Sequence, residues 1–103
     1  MYGPVEQVKL FRQIAIWTQL DQRRAARFSC IEDIENHRFA VQTTDFFYLP
    51  IKTEDLAFFE RLFAERFIEV DFLERKWFDS VEEAIAGHLE EFRATGISSD
   101  SPN

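Results

Sequence analysis

At Pro50 the hydrophobic period of this chain changes. Upstream of it, apolar side chains recur at every second position: Ala26, Phe28 and Cys30 alternate with Arg27, Ser29 and Ile31, and Phe39, Val41 and Thr43 alternate with Ala40, Gln42 and Thr44. A period of two sends neighbouring residues to opposite sides of an extended strand. Downstream the recurrence lengthens to three and four residues, which is the spacing of a helix with one inward stripe. Strands and helices therefore both belong to the fold, and the chain is expected to be an α+β domain.

Two strands precede Pro50 in this reading. Segment 26–32 is set against 38–48 as an antiparallel hairpin, with Glu32-Asp33-Ile34-Glu35-Asn36-His37 as a polar loop rich in turn formers. Pro50, which has no N–H to give a ladder, ends the second strand.

Helix 53–70 follows. Thr53 is its expected N-cap, Glu54 and Asp55 place negative charge at the positive end of the dipole, and Leu56, Phe59, Phe63, Phe67 and Val70 fall within roughly 80° of arc. Ile68, Val70 and Phe72 also alternate with Glu69 and Asp71, which permits a short strand at its end. A last helix opens on Ser80-x-x-Glu83, a capping box, and carries Val81, Ala84, Ile85, His88, Leu89 and Phe92 along one face, with Gly96 as the residue that closes it.

Residues 4–20 allow two readings. Val8, Phe11, Ala15 and Thr18 fit helical spacing and Pro4 suits a first helical turn, whereas Ile, Trp and Thr in 14–20 favour a strand. The helical reading is preferred. The expected order is thus α-β-β-α-α: a hairpin or small three-stranded sheet covered on one face by two C-terminal helices, with an N-terminal helix before it. Residues 1–96 form one compact domain and 97–103, rich in Ser, Asp and Pro, a disordered tail.

Charge narrows function more than composition does. Residues 1–50 carry six basic and six acidic side chains, while residues 51–103 carry six and thirteen, so the whole excess of −7 lies in the second half. Phosphate neutralisation needs the opposite sign, which makes nucleic acid an unlikely partner unless Arg23, Arg24 and Arg27 act locally as a regulatory contact. An acidic surface attracts a basic protein. No segment has the length of apolar sequence that a membrane span needs, and Met1-Tyr2-Gly3-Pro4 lacks the opening of a signal peptide. The single cysteine, Cys30, excludes an internal disulfide and points to a reducing, cytoplasmic setting.

The motifs of the common catalytic and phosphate-binding folds do not occur. Cys30 lies mid-strand and reads as a small core residue rather than a nucleophile. Two histidines and one cysteine, far apart, do not make a zinc site, and no metal or cofactor is expected. His88 falls within an apolar stripe and reads as a boundary histidine; His37 reads as a loop residue. A cleft near Asp45, Thr43, Tyr48 and His88 is the alternative, small-molecule or catalytic, reading. Arg27 and Arg38, if they face outward from the hairpin, form a basic spot that an acidic helix of a second copy would complement.

The remaining oddity is a surplus of aromatic rings. Twelve Phe are present, and several fall where a two-layer domain has no interior for them. Phe46 and Tyr48 share one side of a strand whose other side takes Phe47, while Phe58 and Leu62 lie well off the helical core stripe, near Glu65. Either the N-terminal segment covers them, or Phe46, Tyr48, Phe58, Leu62 and Glu65 form an apolar patch with an acidic rim. The expectation is a non-enzymatic interaction module that docks a protein partner, a basic one or a second copy in a homodimer. In size and charge it is similar to small bacterial inhibitors that neutralise basic toxins or nucleases, an inhibitor or immunity-like regulator by analogy alone.

Overall fold

The computed structural model describes residues 8–71 and 74–94. The fold is α+β: three strands, β1 (Phe11–Asp21), β2 (Arg24–Asp33) and β3 (Arg38–Tyr48), followed by two helices, α1 (Thr53–Glu69) and α2 (Val81–Ala94). The sheet is antiparallel in the order β1-β2-β3. The expected tail at 97–103, the closing Gly96 and the Pro4 start lie outside the described residues.

The N-terminal helix is corrected. Residues 11–21 form a full edge strand, paired residue for residue with β2 from Phe11 opposite Asp33 to Gln19 opposite Ala25. The helical spacing in this stretch loses to its content of Ile, Trp and Thr, and to a neighbour that leaves a ladder to complete. The order is β-β-β-α-α, and no helix from this segment lies over the aromatic residues.

Local chemistry explains both turns. At the β1–β2 turn, Asp21 Oδ1 accepts the Arg23 N–H at 2.8 Å and Oδ2 accepts Arg24 Nε at 2.7 Å. At the β2–β3 turn, the Asp33 carboxylate accepts the Asn36 backbone N–H at 3.3 Å and its side-chain N–H at 2.9 Å. His37 then takes φ 53°, a conformation that histidine tolerates better than branched residues do. The Leu49–Pro50 peptide is cis.

A bulge divides β3. Ser29 is opposite Thr43, but Cys30 is opposite Val41, so Gln42 is an extra residue in the ladder. Thr44, Phe46 and Tyr48 therefore share a face with Val41 and Phe39, while Thr43, Asp45 and Phe47 share the other with Ala40 and Arg38. The Gln42 side chain donates to the Phe63 carbonyl at 3.0 Å and ties the bulge to α1.

The helices do not cover one face together, as expected, but opposite faces. Phe59 of α1 meets Phe47 edge-on at 5.0 Å, and Phe67 meets Phe11 at 5.4 Å. His88 of α2 meets Phe28 at 6.4 Å and Thr44 at 3.0 Å, on the other side. The reason lies in β2, which is buried along nearly its whole length and so needs cover on both sides.

Both helices fall short of closing the core. The stripe of α1 does face the sheet, yet none of its residues is fully buried. Lys52, not Thr53, is its N-cap, without a side-chain hydrogen bond. The α1 helix runs through Glu69, and Val70 is extended. The capping box of α2 is present: Ser80 Oγ accepts the Glu83 N–H at 3.0 Å. Between the helices, Phe78 exchanges two 2.8 Å backbone hydrogen bonds with Phe39 and so caps part of the outer edge of β3.

Candidate docking groove

The α2 face of the sheet holds an open groove of about 730 Å3. Its floor is Ala26, Phe28 and Thr44; Phe46 and Leu20 form one end, and α2 supplies His88, Leu89 and Phe92. Leu62, Arg66 and Glu69 of α1 reach its margin. The lining arises directly from local geometry. The bulge at Gln42 places Thr44 and Phe46 on this side, and residues 88, 89 and 92 are one helical turn of α2.

His88 is the polar element of the groove. Its Nε2 is 3.0 Å from Thr44 Oγ1, its ring stacks on Phe92 at 6.0 Å, and its edge meets Phe28. Burial lowers its pKa below the ordinary imidazole value, against a smaller opposing pull from Glu91. A neutral imidazole fixed by a hydroxyl is suited to lining an apolar contact.

The residues singled out from sequence divide into three groups. Phe46 (45% exposed) and Leu62 meet in the groove. Tyr48 is 58% exposed on the same face but lines a neighbouring hollow with Arg23, Arg24 and Leu49. Phe58 and Glu65 lie on α1 outside the groove: Phe58 is 47% exposed under the Arg61 guanidinium, and Glu65 pairs with that arginine at 3.7 Å. Sequence reasoning missed Leu20, Leu89 and Phe92 as lining residues. The signal for Leu89 and Phe92 was present, since both lie on the apolar stripe of the last helix.

Asp45 and His88 do not converge. Asp45 points to the α1 face, where its Oδ2 accepts Arg27 Nε at 3.0 Å and a second guanidinium nitrogen at 2.7 Å. The cleft proposed around Asp45, Thr43, Tyr48 and His88 is thus divided: the register turns the Asp45 and Thr43 side chains to one side of the sheet and Tyr48 to the other with His88, although Thr43 also borders the His88 groove.

The outward basic spot is also corrected. The Arg27 guanidinium lies over the rings of Trp17 (5.6 Å) and Phe47 (5.2 Å), which meet each other at 5.1 Å, and pairs with Asp45. Arg38 lies over Trp77 at 5.4 Å and reaches Asp33 at 3.5 Å. Arg23 donates to the Leu49 carbonyl at 2.8 Å, and Arg24 is held by Asp21. All four are engaged within the chain, because flat cations find aromatic faces and carboxylates at short range.

Cys30 is fully buried, and burial pushes its thiol up to about 11, far from the thiolate a nucleophile requires. His37 is exposed on its loop, 4.0 Å from Glu32. Among the described residues no three His, Cys, Asp or Glu side chains form a cluster able to hold a metal ion, and no helix is long and apolar enough to cross a membrane. Comparison with known proteins finds no matching family model, curated relative or solved structure.

Proposed function

We propose that this chain is a non-enzymatic protein-interaction module that receives a basic protein partner in the groove between α2 and the sheet. The observation that carries the reading is the convergence of Phe46, Leu62, Leu89 and Phe92 on one open apolar cavity. A groove of this kind accepts the side chains of another protein, with its buried centre supplying affinity and its rim supplying discrimination.

Charge selects the partner. The α2 helix carries four glutamates against one arginine, and α1 carries five acidic residues against two arginines, with Glu69 at the groove margin. A basic partner is drawn in by this field and an acidic one, nucleic acid included, is repelled. An inhibitor of a basic protein has the same physical requirements.

Affinity capture with the wild-type chain and with a Phe46→Glu/Leu62→Glu variant tests the reading, followed by titration of whichever purified protein separates the two. The expected result is a basic protein bound by the wild type, weakened by raised salt, and bound at least about tenfold less tightly by the variant. Equal capture of every protein by both chains overturns it.

A further inference from the structure

The two edges of the sheet are treated differently. The β3 edge is bridged at Phe39 by Phe78, the Gln42 side chain beside it is tied to α1, and both helices pack chiefly on β3 from its two faces. Among the described residues no strand pairs with the outer edge of β1. Eleven residues long, β1 carries only Arg12 and Asp21 as charges, near its two ends, and no proline. Gln13 to Leu20 is uncharged throughout. Long, uncharged edges are what most folds avoid, by charge, proline or a covering element.

The direction of the backbone groups is fixed by one hydrogen bond. The Leu10 carbonyl accepts the Ile34 N–H, so even-numbered residues of β1 turn their N–H and C=O toward β2. The odd-numbered residues Gln13, Ala15, Trp17 and Gln19 then turn theirs outward, and the side chains of all four are exposed.

We propose that β1 is a self-pairing edge, on which a second copy of this chain adds antiparallel about a two-fold axis at Ile16 to give a continuous six-stranded sheet. A two-fold axis perpendicular to the sheet sets residues of equal parity opposite each other, which the outward backbone groups of any regular edge allow. Two observations select a second copy over another occupant. Centring on Ile16 pairs the regular stretch from Gln13 to Gln19, which is uncharged throughout, and leaves Arg12 and Asp21 beyond its two ends, so no like charges come together. Finally, β1 contains one Arg and one Asp, whereas the acidic excess lies in the second half of the chain, on helices that contact β3. A copy approaching along β1 therefore meets the uncharged side of an otherwise acidic molecule.

In this register Gln13 pairs with Gln19 of the partner subunit and Ala15 with Trp17 of the partner subunit. Together with their symmetry mates they give about eight main-chain hydrogen bonds. Ile16 meets its own copy, and Ile14 meets Thr18 of the partner subunit, on the α2 face. The axis leaves that face common to both subunits, so the dimer presents two grooves on one side.

Sedimentation equilibrium of the full chain, with hydrogen exchange at the amides of β1, tests this. The wild type is expected to dimerise, with protection of the Ala15 and Trp17 amides rising with protein concentration. Gln13→Lys/Gln19→Lys sets like charges opposite each other at exposed positions and is expected to weaken the dimer at least about tenfold. Gln13→Lys/Gln19→Glu sets opposite charges there instead and keeps it. Ala15→Pro removes an outward N–H without touching the β1–β2 ladder, and a monomer with an unchanged circular dichroism spectrum is expected. A wild type that stays monomeric at hundreds of micromolar overturns the proposal. So does a dimer that survives both Gln13→Lys/Gln19→Lys and Ala15→Pro unweakened, or β1 protection that appears only when an extended segment of a different protein is bound.

Discussion

On the α1 face the sheet buries charge beside its hydrocarbon, Asp33 and Asp45 among Ile31, Ala40 and Phe47; on the α2 face it buries hydrocarbon alone and half-buries one neutral imidazole. Asp45 and Asp33 are both inaccessible on the α1 side, each answered by a cation: Arg27 for Asp45, Lys9 and Arg38 for Asp33. Asp45 Oδ1 and Thr43 Oγ1 remain buried there without a hydrogen-bond partner among the described residues. The α2 side instead buries Ala26, Phe28 and Cys30, with His88 against Phe28, and stays open along the groove. Charges in a low-dielectric interior tolerate one geometry only, so they fix the register of β2 against β3 and lose much when a partner is removed. Apolar contacts are forgiving, and the forgiving face is the one left free to receive another surface.

The largest expected effect comes from breaking the charged side. Asp45→Ala leaves the Arg27 guanidinium, 12% exposed, with Glu60 at 3.7 Å as its remaining carboxylate among the described residues. Roughly 3–5 kcal/mol should be lost in denaturant unfolding, and the double replacement Arg27→Met/Asp45→Val should recover much of it. A loss below about 1 kcal/mol would remove the contrast between the faces.

A smaller effect is expected from crowding the apolar side. Gly87 lies against the Phe78 ring: a Cβ there would fall 2.7 Å from Cε2 and closer still to Cζ. Phe78 is held by its two bonds to Phe39, so Gly87→Ala should cost about 1–3 kcal/mol in the same assay. A neutral outcome would mean that α2 shifts freely on the sheet.

The finest distinction is by pH. The folded His88 pKa is lowered by burial, so its contribution is present above the unfolded value of 6.5 and is lost as pH falls through the lower folded value. For Asp33, burial opposes ionisation, but the Asn36 side-chain and backbone donors and Lys9 outweigh it and hold the carboxyl at about 2. Its contribution is present above the unfolded value of 3.8 and is lost as pH falls from there toward about 2. Stability measured against pH should thus begin to fall below 6.5 and fall further between 3.8 and about 2, and His88→Gln should flatten only the first part. Loss of both steps in that variant would show that the faces do not titrate independently.

The parts of the fold legible in sequence are those fixed by short-range chemistry. The capping box at Ser80 and Glu83, the β2–β3 hairpin and the stripe of α1 all emerge from residue spacing. The extra residue at Gln42 does not, because an uninterrupted alternation from Phe39 to Thr44 reads the same with or without a bulge. That is why Thr43 and Asp45 seem to share a cleft with His88. β1 was obscured by a coincidence of periods, since Val8, Phe11, Ala15 and Thr18 satisfy a helix while the pairing that makes them a strand lies in β2. Of the groove, Phe46 and Leu62 were accessible to sequence reasoning because both fall off the expected core positions. Leu20 was not, since its place depends on the irregularity between Gln19 and Asp21 at the β1–β2 turn.

Both hairpins close over short loops, two residues between β1 and β2 and four between β2 and β3. Little chain entropy is surrendered before the first ladder contacts form. The helices have no such local reward, for each leans chiefly on β3 and has no seat until that strand is in place. The chain therefore assembles outward from a ribbon: the meander condenses first, and the two helices dock onto its last strand from either side.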